Sequence, residues 1–200
     1  MFPEHALKTA KIPVSVPKHQ FHVPTRWNTH LPRVKQYLIE KRCLRPELIS
    51  TLVRSGKLYA DKRGNAVFLL LGKEKTVVGA ELRGTTQQQW RGMAKGSRKD
   101  RGCFYHKNEN TKKMVLCESA IDALSCLILH QDCLTVSTSG VNPNPAWLQS
   151  FITHEYEIYC GFDADKTGDK MAQKMMELYP TVKRLRPSKK DWNDLLKATA

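Results

Sequence analysis

Glu157-Ile-Tyr-Cys-Gly-Phe-Asp163-Ala-Asp165-Lys-Thr-Gly168-Asp169 is the stretch whose reading decides the fold. Tyr156, Ile158, Tyr159, Cys160 and Phe162 make an apolar run rich in β-formers, which predicts a buried parallel strand. The run ends in two carboxylates two residues apart, and in extended chain that spacing turns both to one side. Gly168 reads as the strand breaker, and Met171, Ala172, Met175, Met176 and Tyr179 follow at helical spacing. Open α/β sheets bind ligands beyond the carboxyl ends of their strands, which is where Asp163 and Asp165 fall. Side-by-side carboxylates repel unless a cation bridges them, and hard Mg²⁺ or Mn²⁺ suits oxygen donors. The competing reading is a helix N-cap on a solvated turn, because Asp is common in such loops.

Working outward, strand and helix patterns alternate from Lys112 onward. Met114–Cys117 predicts a strand ending in Glu118. Ala120–Leu129 predicts a helix with Ile121, Leu124, Leu127 and Ile128 inward. Leu134–Ser137 predicts a strand closed by the turn Thr138-Ser139-Gly140, and Pro145 opens a helix carrying Trp147, Leu148 and Phe151. After the Asp163 strand and its helix come a last strand over Thr181–Leu185 and a helix starting near Asp191. This alternation predicts a doubly wound parallel sheet. Glu118, the pair Asp163 and Asp165, and the pair Asp191 and Asp194 then fall at loops sharing one rim, with Asp122 one helical turn beyond Glu118. Convergence of carboxylates is costly without cations, so these residues are candidate metal ligands.

Charge divides the chain in two. The net charge is +14, yet residues 1–112 hold 23 Lys and Arg against 8 Asp and Glu, while residues 113–200 hold 10 against 11. A polycationic half predicts a polyanionic partner, most simply nucleic acid. No apolar run reaches membrane length, and the N-terminus lacks a signal-peptide core, so a cytoplasmic protein is expected. The six cysteines show no metal-ligand spacing and read as reduced core residues.

Residues 1–30 carry scattered Lys and His, and Pro3, Pro13, Pro17 and Pro24 with Pro32 just beyond; they read as an extended arm or linker. Val34, Tyr37, Leu38 and Cys43 predict a helix. Pro46 opens a second one, with Leu48, Ile49, Leu52 and Val53 inward and Gly56 at its end. Lys57–Ala60, Ala66–Leu71 and Thr76–Leu82 predict an antiparallel meander. The loop from Arg83 to Arg101 is basic and Gly-rich: Arg83, Arg91, Lys95, Arg98 and Lys99 are candidate phosphate contacts, and Trp90 a candidate stacking platform. Cys103-Phe104-Tyr105 reads as a short closing strand. Residues 31–111 are thus expected to form a small basic α+β nucleic-acid-binding subdomain, and residues 112–200 the α/β domain.

The run Val115-Leu-Cys-Glu118-Ser-Ala-Ile-Asp122, followed by Gly161-Phe-Asp163-Ala-Asp165-Lys-Thr-Gly168, resembles the toprim domain shared by bacterial-type primases, topoisomerases and certain nucleases. The resemblance covers roughly residues 112–197. Thr138-Ser139-Gly140 matches the family's turn after the second strand, and Lys190-Asp191-Trp-Asn193-Asp194 resembles a segment of its primase-type members. Ser119 departs from the pattern, since many members carry Gly after the Glu. The upstream half resembles a domain that precedes toprim in plasmid and mobile-element proteins, and more loosely the basic subdomain of a bacterial primase core. The resemblance implies a doubly wound toprim sheet and Mg²⁺ or Mn²⁺ on Glu118, Asp163 and Asp165 as catalytic residues, with Asp191 and Asp194 as further ligands. It implies a primase-like nucleotidyltransferase on single-stranded DNA, with single-stranded DNA or RNA and nucleoside triphosphates as partners. A toprim nuclease and a non-catalytic nucleic-acid-binding module are the alternatives. No cysteine pair builds the zinc ribbon of primases and no helicase P-loop is present, so template recognition by such a module is absent or sits on another chain or in an omitted region. A place on another chain implies a helicase, relaxase or zinc-module protein as partner.

Overall fold

Helix starts and turns are marked by their usual residues. Pro32 sits in the first turn of α1 (Leu31–Gln36), which runs on through a single π turn over Tyr37–Lys41. Pro46 opens α2 (Pro46–Arg54), and Gly56 follows it at φ +72°, a conformation that costs glycine little. The computed structural model describes residues 20–86, 90–107 and 111–199. Most of the expected arm lies outside them. Its described part is fastened to the protein: Trp27 N–H donates to Ala60 O at 2.8 Å and Tyr59 Oη to Pro24 O at 2.8 Å.

Two sheets follow. β1 (Leu58–Ala60), β2 (Ala66–Leu71), β3 (Val77–Arg83) and β4 (Arg91–Met93) form an antiparallel sheet in that order. The segment expected as one basic loop therefore holds a strand, pairing Arg91 opposite Arg83. The second sheet contains β5 (Phe104–Lys107), β6 (Lys113–Cys117), β7 (Leu134–Ser137), β8 (Glu157–Cys160) and β9 (Lys183–Arg184), in the order β5-β7-β6-β8-β9. β6 to β9 are parallel, and β5 runs antiparallel along β7. The closing strand thus closes the second sheet rather than the meander. Its first residue is bridged back to the meander, Leu71 N–H donating to Cys103 O at 2.9 Å. A Cβ at Gly102 would collide with the Leu71 backbone, so only glycine permits that junction.

Strand alternation sends Met114 and Leu116 to one face of the second sheet, Val115 and Cys117 to the other. α4 (Leu148–Thr153) and α5 (Lys166–Leu178) cover the first face; α3 (Ala120–Leu129) and α6 (Trp192–Thr199) cover the second. The helical pair and meander share a core with α3 and α6: Leu38, Ile49, Phe68, Phe104, Ile121, Leu124 and Leu196 form one buried cluster. Phe68 meets Phe104 edge to face at 5.3 Å. The chain leaves β6 toward β7 and β8 toward β9, so strand order reverses between β6 and β8. That switch point is where such sheets open a crevice.

The six cysteines form no disulfide; five are buried and Cys43 is half-buried.

Candidate functional site

Glu118 leaves the end of β6 and Asp163 follows β8, so the two flank the crevice. β8 stops at Cys160, three residues before Asp163, and the two aspartates stand on a loop rather than on the strand. The Asp163 backbone N–H donates to Glu118 Oε1 at 3.1 Å. Asp163 Oδ1 is buried and has no hydrogen-bond partner. Burial first, and then Asp122, Glu118, Asp191 and Asp165, push the Asp163 carboxyl up to about 8. Burial also raises Glu118, against the Asp163 N–H and the charge of Arg91, which favour its anion. Asp122 is buried and pushed up to about 6 by that burial and by Asp191.

Asp165 does what the competing reading expected. It is exposed and caps α5, its Oδ1 accepting from Thr167 N–H at 2.9 Å and Gly168 N–H at 2.8 Å. Gly168 is not a strand breaker: it lies in the first turn of α5, buried, where any Cβ would collide with the Asp163 carbonyl oxygen. Close contact between the aspartate loop and the helix demands glycine there. Asp191 receives the N–H of Asp194 at 2.6 Å and lines a cavity of about 280 Å³ with Asp122, Asp163 and Lys190. Asp194 is turned instead to Lys197 at 2.8 Å.

The tail segment pins this geometry. Buried Trp192 donates from Nε1 to Gly161 O at 2.7 Å, and Lys190 O accepts from Ala164 N–H at 2.7 Å. Asn193 bonds Arg42 O at 2.8 Å and Ser125 Oγ at 3.0 Å, and its N–H donates to Asp122 Oδ1 at 3.2 Å.

Of the basic candidates, Arg83 and Arg91 stand against the acids. Both line the cavity with Asp122, Asp163 and Asp191, and both line a second one of about 290 Å³ with Glu118, Ser119, Ser139 and Gly140. Trp90, 46% exposed, lines a different cavity with Pro24, Asp61 and Arg63. Arg98 is paired to Asp100 at 2.5 Å, Lys95 is exposed, and Lys99 Nζ reaches Ser139 O at 3.5 Å.

Sequence reasoning passed over two sets of residues. Arg184 threads under the aspartate loop, donating to the carbonyls of Cys160 at 3.0 Å, Phe162 at 2.8 Å and Asp163 at 3.1 Å, and to Asp169 at 2.8 Å. Arg186 adds Ala164 O at 3.1 Å and Asp169, whose carboxyl the two arginines hold down at about 2. The second is Glu81, buried on β3; the signal was a lone acid within Val77–Leu82.

Among the described residues, no three His, Cys, Asp or Glu side chains close on one point as a ready-made metal cage. The donors present still fit a hard divalent cation. They are carboxylate oxygens, one of them buried and unpartnered, in a cluster whose mutual repulsion a cation would relieve. Mg²⁺ is ordinarily held by one or two carboxylates, with water and substrate phosphate completing the shell.

Residues 115–196 match the model of the Toprim-like family, and residues 36–111 that of a protein family of unknown function, DUF3991. The chain carries a toprim domain. The toprim fold here, with its basic α+β half, is shared with primase catalytic cores. The primase fragment of the bacteriophage T7 primase-helicase superposes with a TM-score of 0.61 at 16% identity, over 80% of this chain and 69% of that one. The DnaG primase catalytic domain bound to ssDNA gives 0.58 at 17% identity, over 83% and 69%. At such identities the likeness is one of fold. Among curated proteins, a 65 kDa protein of Zymomonas mobilis is 31% identical over 161 residues, covering 70% of this chain and 27% of that protein. An uncharacterized protein of Bacillus anthracis is 28% identical over 141 residues, covering 65% and 41%. The chain thus spans less than half of either relative. No helix among the described residues is long and apolar enough to cross a membrane.

Proposed function

We propose that this chain is a primase-like, metal-dependent nucleotidyltransferase that acts on single-stranded DNA, works in the cytoplasm and belongs to a plasmid or other mobile element. One observation carries the reading: Arg83 and Arg91, paired across β3 and β4, share both cavities with the carboxylates of the toprim rim. A site for joining nucleotides needs both charges within one cleft, anions for the metal and cations for the phosphates.

In this reading Glu118, Asp163 and Asp165 would hold Mg²⁺ or Mn²⁺, with Asp191 beside them. When bound, the ion would polarise the reacting phosphate and neutralise charge on the leaving pyrophosphate. Arg83 and Arg91 would grip the triphosphate oxygens, a task suited to the guanidinium fork. Lys95, Arg98 and Lys99 would guide the template strand by its backbone charge, which requires no base recognition. Arg184 and Arg186 keep the aspartate loop rigid from beneath. A helicase, relaxase or zinc-bearing protein would supply template selection from another chain.

The test is incubation of the chain with single-stranded DNA, labelled nucleoside triphosphates and Mg²⁺ or Mn²⁺. Extension products are expected, and Asp163→Asn with Asp165→Asn should reduce them by at least about 10³-fold, the scale of a lost metal centre. Calorimetry on the same double variant should show no Mn²⁺ binding. Shortened DNA in place of extended product would shift the assignment to a toprim nuclease. A wild-type chain that binds DNA but neither joins nor cuts it would leave only a binding module.

A further inference from the structure

Glu81 belongs to the basic half by sequence and to the catalytic loops by contact. It lies on β3 between Ala80 and Leu82, buried, with the strand's apolar residues on either side. Burying a carboxylate is costly unless its oxygens are filled. An apolar side chain would occupy the space without that cost, so what the carboxylate adds is its bonding.

Those bonds converge on the main chain around Glu118. Oε1 accepts the N–H of Ala120, the first residue of α3, at 2.9 Å. Oε2 accepts the hydroxyls of Ser137 at 2.8 Å and Ser139 at 3.4 Å. Ser137 Oγ in turn accepts the Ser139 N–H at 3.0 Å, which fixes the turn after β7. That turn returns two N–H groups to the neighbouring loop: Thr138 donates to Cys117 O at 2.9 Å and Gly140 to Glu118 O at 2.7 Å. Glu118 is therefore bracketed by two segments that Glu81 grips, and its carboxylate passes the constraint on to the Asp163 N–H. Two residues further along β3, on the same face of the strand, Arg83 enters the cavities.

We propose that Glu81 is a positioning residue: by holding the starts of α3 and of the Ser137–Gly140 turn, it sets Glu118 and Asp163 in register with Arg83 and Arg91. This rests on the functional reading above for what the register is used for, not for the register itself.

The full chain is compared with Glu81→Ala, Glu81→Gln and the pair Ser137→Ala with Ser139→Ala. Two readouts are followed: Mn²⁺ affinity by calorimetry, and amide hydrogen exchange at Gly140 and Asp163 by NMR without metal. Glu81→Ala should weaken Mn²⁺ binding about 10-fold or more, the usual cost of removing a group that orients a metal ligand. It should also speed exchange at both amides. Single-stranded DNA affinity at fixed salt should stay within about twofold, since no surface cation is touched. Glu81→Gln should recover most of both losses, because its carbonyl still accepts from Ala120 while the Ser137 hydroxyl rotates to accept from its amide. The serine pair, which leaves Glu81 in place, should show a smaller loss in the same direction. If Glu81→Ala does not fold, the serine pair decides. Wild-type affinity and exchange in a folded Glu81→Ala or serine-pair variant would overturn the proposal. So would a Glu81→Gln as impaired as the alanine, since charge rather than bonding would then be at work. A wild-type chain that binds no Mn²⁺ sinks the functional reading alone, and the exchange data still decide on Glu81.

Discussion

The β3–β4 ladder and the rim between β6 and β8 face each other, and they carry charge in opposite ways. The basic half has many cations, most of them at the surface; Lys95 and Arg91 are exposed, and Arg98 and Lys99 lie in a turn. The toprim rim has few acids, and burial and neighbouring carboxylates raise the carboxyls of Asp122 and Asp163 to about 6 and about 8. Solvated charge works over a distance and is weakened by salt, whereas enclosed charge works at contact and is sensitive to a single atom. The net charge of +14 therefore marks where a polyanion would be collected, not where it would be transformed.

The sharpest way to break that contrast is to remove Arg184, a cation that lies on the acidic side beneath the aspartate loop. Arg184→Ala would leave the carbonyls of Cys160, Phe162 and Asp163 without a donor they now share, and should cost about 3 kcal/mol of stability, read by denaturant unfolding. A cost under about 1 kcal/mol would show that the aspartate loop holds itself.

Next come the cations that face the acids against those that do not. Arg83→Ala with Arg91→Ala should raise the nucleotide KM by at least about 100-fold, each guanidinium contact to phosphate being worth about 1.5–3 kcal/mol. Neutralising Lys95, Arg98 and Lys99 together should instead lower DNA affinity, and should flatten its salt dependence by about 0.7 in log–log slope for each lost phosphate contact. The same response from both sets would erase the distinction between the two regions.

A smaller effect is expected in the pH dependence of the metal-free protein. The Asp163 carboxyl titrates near 3.8 when unfolded and at about 8 when folded, so between those values the folded chain binds the extra proton. Stability should therefore fall as pH rises from about 4 through about 8, and Asp163→Asn should flatten that fall. At pH 8.5 the variant should melt higher by about 2–4 °C, a modest gain because solvent reaches part of the carboxylate. An unchanged pH profile would place the Asp163 carboxyl in water. Smallest of all, Trp90→Ala should leave turnover within about twofold, since the ring lies on the far side of the ladder from the rim.

Much of this was legible in the chain. The strand and helix from Met114 to Leu129, the turn at Thr138–Gly140 and the helix after Asp165 follow from residue spacing, which reports local burial. Where the strand before Asp163 ends was not legible. Phe162 is apolar and fully buried, yet it lies past the last ladder pairing, and sequence registers burial but not hydrogen bonding. Gly168 misled for a related reason: its missing side chain makes room for the Asp163 backbone, five residues back along the chain, not for a break in the strand.

The sequence by itself determined the alternating architecture, the division of charge, and Glu118 and Asp163 as residues of one rim, because each depends on neighbours a few positions apart. Only the tertiary structure decided that β5 joins the second sheet, that Arg83 and Arg91 turn toward the acids while Trp90 turns away, and that Arg184 lies beneath the aspartate loop. It alone placed Glu81 against Ala120 and Ser137, residues 39 and 56 positions away. Such contacts arise when two separately formed surfaces pack, and a hydrogen bond between distant residues leaves no periodicity in the chain.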